Sequence, residues 1–355
     1  MITLDQVDLP NKREFRGKDF PVAFRLGGNT QNVGQTLKFL EEKSEEGFFK
    51  NLLQKHGVIV IRNPSKTDPE TLSKYLTAIG KNSGDEIFVQ NGSTAKRTEV
   101  TNVLSTANEG PSDRLIYQHN EFSRFTKYPS KLFFVCEAYN AKGGETPVVH
   151  GGEFFDEIYR IAPDFLKELS RKGLYMEQIW PLKSDNDTNW SNQFCFGRYI
   201  DANNNDFEYQ KAEAIKLAKK TASPHCEFTA DHDLLIRQYT EPIRMYKAGD
   251  GEEFPCFFNS IATFFADVKY KIGGYSKTKS ICYNDGSKIP EKYLDLVLEK
   301  SINMAYKHQW EEGDIVIVDN YMVSHGRCPW EGERKVLVSM WDTINKPDYL
   351  PWVSQ

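Results

Sequence analysis

The pattern of apolar and polar positions predicts two groups of β-strands separated by a region of helices and loops. Residues 58–61 (VIVI) are β-branched and apolar throughout, which is typical of a buried strand. Apolar runs of similar length predict further strands at 115–117, 131–136, 146–149, 254–259, 314–319 and 334–341. Long β runs therefore stand both before and after the middle of the chain.

Helices are predicted where apolar residues recur every three or four positions. Asp68 and Pro69 mark the start of one helix, with Asp as N-cap and Pro at the first helical position. The other predicted helices cover residues 36–55, 153–172, 208–222 and 290–307. Residues 183–207 are rich in Asn and Asp with little periodicity, which predicts a long loop. Residues 1–35 mix polar residues with Gly and Pro, and we expect them to wrap the outside of the domain.

Composition and charge exclude several classes of protein. Lys and Arg total 45 against 50 Asp and Glu, so the net charge is -5 and the basic footprint of a nucleic-acid binder is missing. No apolar run approaches the ~20 residues of a membrane span. The strand and helix order is not a regular βαβ alternation, and there is no glycine-rich phosphate loop, which argues against nucleotide binding.

The six cysteines are scattered without a CxxC pair, and the N-terminus lacks the features of a secretory signal. This usage is typical of free thiols in a reducing compartment, so we predict a cytoplasmic protein. We expect no nucleic-acid or membrane partner, and the sequence leaves open whether the chain forms a homo-oligomer.

One triplet and one later histidine could hold a metal. His119 and Glu121 are two positions apart at the end of a predicted strand, so both side chains would lie on one face. His325 follows the strand at 314–319, and a barrel could bring it to the same place. Two His and one carboxylate leave three octahedral positions open, as in non-haem Fe(II) oxygenases. A structural zinc site would more often have four protein ligands.

Arg334 stands nine residues after His325, at the start of an apolar strand. A buried arginine needs an anionic partner, and it can bind a carboxylate through two parallel hydrogen bonds. From the residues alone, that partner is either a bound carboxylate or an internal Asp or Glu.

Seven short motifs in one order resemble the TauD/TfdA-like (taurine dioxygenase-like) family of Fe(II)- and 2-oxoglutarate-dependent oxygenases. They are HNE at 119–121, KLFF at 131–134, GGETP at 143–147, FFN at 257–259, GD at 313–314, HGR at 325–327, and Arg334. The resemblance covers residues 55–343. It is strongest to the eukaryotic and secondary-metabolite branch, and this chain has Glu where HxD is commoner.

The resemblance implies a mainly β fold, a double-stranded β-helix (jelly roll) with flanking helices and a long lid-like insertion. It divides a single domain into an N-terminal wrap and helix (1–54), the jelly-roll core (55–343) with the insertion at about 175–250, and a tail (344–355). It also implies Fe(II) held by His119, Glu121 and His325. By the same resemblance, Arg334 and Thr146 hold the distal carboxylate of the co-substrate 2-oxoglutarate, and O2 is the oxidant.

The reaction implied is oxidation of an unactivated C–H bond, with release of succinate and CO2. The substrate is expected to be a small polar molecule, amino-acid-like or carboxylated, in secondary metabolism. Hydroxylation is the family default, and oxidative cyclisation or desaturation, as in kainoid-type tailoring, stays open. Two alternatives from other classes are a catalytically inactive jelly-roll binding protein and a zinc hydrolase that uses the same three ligands.

Five residues are candidates for binding the substrate. Strand alternation places Tyr117 on the same face as His119, and it turns Gln118 and Asn120 away. Arg124 follows the metal motif and could reach an acidic substrate. The remaining candidates are Asn102 beside Arg97 at the barrel mouth, Asn259 in the FFN motif, and Arg327 two residues after His325.

Overall fold

The computed structural model describes residues 1–89, 92, 97–107, 109–183, 189–193, 195–201, 203–272 and 279–354. Its strands are β1 (Ile2–Val7), β2 (Arg13–Phe15), β3 (Lys18–Phe20), β4 (Val22–Gly28), β5 (Val58–Arg62), β6 (Asp85–Ile87), β7 (Ser105–Thr106), β8 (Ile116–His119), β9 (Lys131–Gly143), β10 (Thr146–His150), β11 (Leu174–Trp180), β12 (His225–Phe228), β13 (Leu234–Thr240), β14 (Ile243–Lys247), β15 (Glu253–Phe257), β16 (Lys279–Tyr283), β17 (Tyr306–His308), β18 (Ile315–Asp319), β19 (Val323–Arg327) and β20 (Trp330–Thr343). Its α-helices are α1 (Val33–Glu45), α2 (Phe48–His56), α3 (Pro69–Asn82), α4 (Gly151–Ile161), α5 (Pro163–Lys172), α6 (Phe207–Thr221), α7 (Ile261–Lys269) and α8 (Glu291–Asn303).

Two sheets enclose the main core. The large sheet has the order β1-β4-β5-β18-β9-β20-β6, with β7 also on β20, and the small sheet has the order β17-β10-β19-β8. One apolar cluster contains Val60 and Val316 from the large sheet together with Val148 and Val323 from the small sheet. The two sheets therefore face each other across a shared core, and the fold is the mainly β jelly roll with flanking helices that the resemblance implied.

Both faces of the large sheet are buried at its central strands β5 and β18. Every residue of β5 and β18 is buried, and the two strands pair antiparallel, with Ile315 opposite Ile61. Ile59 and Ile317 point away from the main core into a second cluster, where they pack on α1 and α3. This double burial explains why these strands are apolar at successive positions rather than at alternate ones.

The N-terminal segment joins the large sheet, so the expectation that residues 1–35 only wrap the outside was wrong. Strand β4 runs parallel to β5, with Phe24 opposite Ile61, and β1 pairs antiparallel with β4. Val22, Phe24 and Leu26 alternate toward the core and are buried there.

Two helices predicted as continuous are each divided in two. Residues 36–55 form α1 and α2, which are separated at Gly47, where φ is +78°. Residues 153–172 form α4 and α5, which meet at Ala162, before Pro163 begins the second helix. A positive φ and a proline ring both interrupt the helical hydrogen-bond ladder.

The start of α3 follows the prediction. The side chain of Asp68 accepts a hydrogen bond from the backbone N–H of Thr71, and Pro69 occupies the first turn. Leu72, Leu76 and Ile79, which lie three or four positions apart on one face of this helix, are buried. These capping and packing signals are local, which is why the sequence revealed them.

The insertion contains more β-structure than the sequence predicted. Strands β12-β13-β11-β16 form a separate four-stranded sheet, and α6 packs on it. Part of the predicted loop at 183–207, including 184–188, lies outside the described residues. Among the described helices, none combines the length and the apolar character needed to cross a membrane.

Candidate active site

Strand pairing in the small sheet brings the two predicted metal-binding histidines together. Strands β8 and β19 are antiparallel, and His119 lies directly opposite His325 in the register. The two imidazole rings have centroids 4.5 Å apart. Glu121 lies two residues beyond the end of β8, where the chain leaves the sheet. The structure thus brings His325 to the end of the sheet where His119 and Glu121 lie, about 200 positions earlier in the sequence.

The three side chains form a compact cluster. One ligand atom from each of His119, Glu121 and His325 lies within 4.8 Å of the others. The Oε2 atom of Glu121 is 3.7 Å from Nε2 of His119 and 3.5 Å from Nε2 of His325. In the part of the chain that the structure describes, no other group of three His, Cys, Asp or Glu side chains is arranged this way.

The protonation states of this cluster suit a metal. Nδ1 of His119 is 2.9 Å from the Tyr117 carbonyl oxygen, a contact that places the ring proton on Nδ1 and leaves Nε2 as the ligand atom. Burial, together with the nearby His119, lowers the pKa of His325 to about 4, so its imidazole is neutral at pH 7. Metal binding requires a neutral imidazole.

Glu121 is buried and ionised. Burial by itself would raise the pKa of this carboxyl, but the positive charge of Arg97 favours the ionised form, and the pKa lies well below its usual range. Arg97 donates from Nη2 to Oε1 of Glu121 at 3.1 Å. Sequence reasoning had placed Arg97 only at the barrel mouth.

The backbone of Glu121 is fixed by Asn320, a residue that sequence reasoning missed. Asn320 is buried directly after β18, and its Oδ1 accepts from the Glu121 N–H at 2.7 Å. Its Nδ2 donates to the carbonyl oxygens of Glu121 and Pro129. Asn120, turned away from the cluster as predicted, donates to the Asn320 carbonyl. The available signal was a polar Asp-Asn pair immediately after a wholly apolar strand.

Arg334 lies beside the glycine turn between β9 and β10. It donates from Nε to the Gly144 carbonyl at 2.7 Å, and its guanidinium is 5.3 Å from the Trp330 ring centroid. Burial lowers the pKa of Arg334 to about 10, so the guanidinium stays charged at pH 7. Among the described residues it forms no ion pair with a carboxylate. Thr146, which follows the same turn, is buried at the start of β10.

Three of the five substrate candidates contact other parts of the fold. The Tyr117 ring stacks on Tyr270, with centroids 6.1 Å apart, and packs against the cluster formed by α7 and α8. The side chain of Asn259 accepts from the Ile261 N–H at the start of α7. Arg327 donates to the carbonyls of Pro111 and Arg114, so it braces that loop.

Arg124 faces the insertion. It donates from Nη1 to Oε1 of Gln238 in β13 at 3.0 Å. Its guanidinium also lies 5.2 Å from the ring centroid of Phe125 and 5.3 Å from that of Phe264. In the described contacts it connects the segment after Glu121 to the inserted sheet.

Asn102, the fifth candidate, lines a cavity of about 380 Å³. Arg97 also lines this cavity, and since Arg97 contacts Glu121, the cavity adjoins the histidine–carboxylate cluster. The lining includes the apolar side chains of Phe88, Val338 and Met340 as well as hydroxyl and amide groups. The volume falls within the range of small-molecule sites.

An ion pair forms part of the lining of this cavity. Arg198, from the inserted segment, pairs with Glu99, and both residues line the cavity. The insertion therefore contributes to the wall of the cavity and does not only decorate the barrel.

The donor set of the cluster fits a divalent iron. Two imidazoles and one carboxylate leave three positions of an octahedron for exogenous ligands. The cluster contains no thiolate and no fourth protein ligand of the kind that closes a structural zinc site. The guanidinium of Arg334, at the turn between β9 and β10, offers a place for a carboxylate.

Comparison with known proteins gives a consistent result. The family described as "Taurine catabolism dioxygenase TauD, TfdA family" matches residues 26–341. A clavaminate synthase-like protein of Arabidopsis thaliana is 25% identical over 349 residues, which cover 96% of this chain and 98% of that protein. The dapdiamide synthesis protein DdaC of Enterobacter agglomerans is 23% identical over 303 residues, 82% of this chain and 84% of that protein.

Solved structures are more distant. PvcB of Pseudomonas aeruginosa aligns over 96% of this chain and 91% of its own, with 14% sequence identity and a TM-score of 0.49.

Proposed function

This chain belongs to the TauD/TfdA family of Fe(II)- and 2-oxoglutarate-dependent oxygenases, and from that premise we propose that it oxidises an unactivated C–H bond of a small polar substrate that is amino-acid-like or carboxylated. The enzymes of this family use Fe(II), 2-oxoglutarate and O2. When bound, these groups supply the oxidant that attacks the substrate, while 2-oxoglutarate becomes succinate and CO2. The protein has to bind and orient the substrate and the co-substrate, and it has to exclude water from the site.

His119, Glu121 and His325 would hold the iron. The observation that carries this proposal is the convergence of their ligand atoms within 4.8 Å at one end of the small sheet. His325 is neutral and Glu121 is ionised, so neither side chain has to lose a proton before it binds a divalent cation.

Arg334 and Thr146 would bind the distal carboxylate of 2-oxoglutarate. The proposal is supported by a buried, charged guanidinium that forms no ion pair with a carboxylate in the described part of the chain. An ionic hydrogen bond of this kind contributes about 1.5–3 kcal/mol. The Gly144 carbonyl orients the guanidinium before the co-substrate arrives.

The substrate would occupy the cavity lined by Asn102. Its size and its mixed apolar and polar walls suit a small molecule with hydrogen-bonding groups. Two relatives are named for clavaminate synthase and for dapdiamide synthesis, which supports a tailoring step in specialised metabolism. Hydroxylation, cyclisation and desaturation all remain within this proposal, because they differ only in how the bound substrate is positioned.

The described contacts leave a direct substrate role with Asn102 and give weaker support to the other candidates. Tyr117, Asn259 and Arg327 are engaged with neighbouring segments, as is Arg124. The two alternative classes are not favoured: a zinc hydrolase has no use for Arg334 and the glycine turn, and an inactive binding protein has no reason to keep a complete ligand set.

The test is anaerobic reconstitution with Fe(II) followed by titration with 2-oxoglutarate, while the weak visible charge-transfer band of the chelate is monitored. We expect a band in the parent protein and none in His119→Ala. Arg334→Ala should need far more 2-oxoglutarate to reach the same band. A parent protein that binds zinc or no metal, with no band, would refute the proposal.

A further inference from the structure

Arg97 stands between Glu121 and the adjoining cavity. Its Nη2 donates to Oε1 of Glu121 at 3.1 Å, and its Nη1 lies 3.4 Å from the sulfur of Met340. Only 12% of the Arg97 side chain and 9% of the Glu121 side chain are exposed. A buried cation therefore holds this carboxylate from the side that faces the cavity.

The two oxygens of Glu121 have different partners. Oε2 faces Nε2 of His119 at 3.7 Å and Nε2 of His325 at 3.5 Å, so it belongs to the ligand cluster. Oε1 is the acceptor of the Arg97 hydrogen bond. The carboxylate is thus divided between a metal-facing oxygen and a guanidinium-facing oxygen.

We propose that Arg97 is a positioning residue that limits Glu121 to one oxygen at the iron and so keeps a coordination position open for 2-oxoglutarate. This inference rests on the proposed iron ligands. Carboxylates bind metal ions through one oxygen or through both. Two imidazoles and one oxygen leave three octahedral positions, which a chelating keto acid and O2 fill, whereas a second Glu121 oxygen would occupy one of them.

If Arg97 has this role, its loss should affect the affinity for the metal and the affinity for 2-oxoglutarate in different ways. Without Arg97, Oε1 can turn to the metal, and a positive charge that repels the cation is gone, so metal binding is maintained or strengthened. The affinity of the metal-loaded protein for 2-oxoglutarate falls, because the keto acid then competes with the second oxygen. A merely structural role for Arg97 would weaken both affinities together.

The experiment compares the parent with Arg97→Met and Arg97→Lys. Methionine keeps the length and the apolar contact with Met340, whereas lysine also keeps the cation. Anaerobic Fe(II) affinity is measured first, and 2-oxoglutarate is then titrated into the iron-loaded proteins with the charge-transfer band as readout. In Arg97→Met we expect unchanged or tighter iron binding and 2-oxoglutarate binding weakened about tenfold. In Arg97→Lys we expect most of that loss to be recovered.

Arg244→Met is the matched control. Arg244 is another half-buried arginine, and it donates to the Tyr128 hydroxyl and lies 4.7 Å from the Phe258 ring centroid. We expect it to change neither affinity.

Three outcomes overturn the inference: parent-like 2-oxoglutarate affinity in Arg97→Met, parallel loss of both affinities in that variant, or a lysine variant no better than the methionine variant. Failure of the parent itself to bind iron would instead refute the proposed function.

Discussion

At the scale of single residues, the candidate metal centre depends on groups that never face the metal. Asn320 holds both the N–H and the carbonyl of Glu121, and it is itself held by Asn120. Glu121 needs this support because it lies beyond the end of β8, and Phe122 after it has a positive φ of 54°. A residue in that backbone region is strained unless neighbouring contacts maintain it.

Replacing Asn320 should therefore loosen the metal site. In Asn320→Ala we expect the affinity for Mn(II), a redox-silent probe, to fall about 10–100-fold, because Glu121 loses its two backbone bonds. Isothermal titration calorimetry measures this affinity, and circular dichroism verifies folding. Asn82→Ala, which removes a bond to the Ala78 carbonyl within α3, should leave Mn(II) affinity unchanged. A folded Asn320→Ala protein with parent-like affinity would contradict this argument.

The sequence revealed the three candidate metal ligands but not the residues that hold them in place. The HxE spacing and the later His325 can be read from the sequence, and the structure brings the three side chains together. Asn320 is 199 positions from Glu121, and no spacing rule links a turn asparagine to so distant a carboxylate. Arg97 was noticed, but its bond to Glu121 depends on how the chain before β7 folds back.

At the scale of secondary structure, the turn between β9 and β10 shapes the place where Arg334 lies. Gly144 has a φ of +83°, and a Cβ atom there would come within 2.7 Å of the Arg334 side chain. The glycine thus allows both the turn and the close approach of the arginine.

Gly144→Ala should displace Arg334 and reduce 2-oxoglutarate affinity by about tenfold or more, equivalent to at least about 1.4 kcal/mol. The left-handed backbone adds a stability cost of roughly 1–2 kcal/mol. Gly286→Ala is the control, because Gly286 has a similar φ of +80° but open space around its Cβ position. Thermal unfolding should show a loss in both variants, larger in Gly144→Ala because its Cβ also meets Arg334, whereas the charge-transfer titration should change only in Gly144→Ala. Equal 2-oxoglutarate affinities would show that the contact with Arg334 is unimportant.

Elements with local signals were predicted, and elements defined by partners were not. The apolar run of β5 and the Asp68–Pro69 start of α3 were correct. Strand β11 alternates between buried and half-buried residues, a period of two, but the sequence analysis predicted no element there. Its pairing with β13 and β16 stabilises it in the structure.

At the scale of the molecule, ligand binding should stabilise the whole fold. The candidate metal site joins β8 to β19, and Arg334 joins β20 to the turn after β9. A ligand that binds only the folded state adds about 2.7 kcal/mol at a concentration one hundred times its Kd. We therefore expect Mn(II) with 2-oxoglutarate to raise the unfolding temperature in differential scanning fluorimetry, and EDTA to reverse the effect.

Two matched variants test whether the rise in unfolding temperature comes from binding at the candidate metal site. His119→Ala should abolish it, whereas His225→Ala, which alters an exposed histidine on β12, should retain it. A shift of equal size in His119→Ala would mean that the ligands bind elsewhere.

The jelly-roll class of the molecule was available only through the family resemblance. Periodicity located strands but could not order them as β17-β10-β19-β8 or place β1 and β4 in the large sheet. Those pairings join segments that are far apart in sequence. The single-domain division at residues 54, 175, 250 and 343 stays a prediction, as do the cytoplasmic location and the oligomeric state.

The pairing of His119 with His325 has a consequence for the timing of assembly during synthesis. Chains fold from the N-terminus as the ribosome releases them. The first two candidate ligands emerge early, but their partner strand β19 and the supporting Asn320 follow 199 or more positions later. A nascent chain without β19 offers a metal ion only an open His–Glu pair. The complete set of three candidate ligands therefore exists only after synthesis has passed His325 in β19.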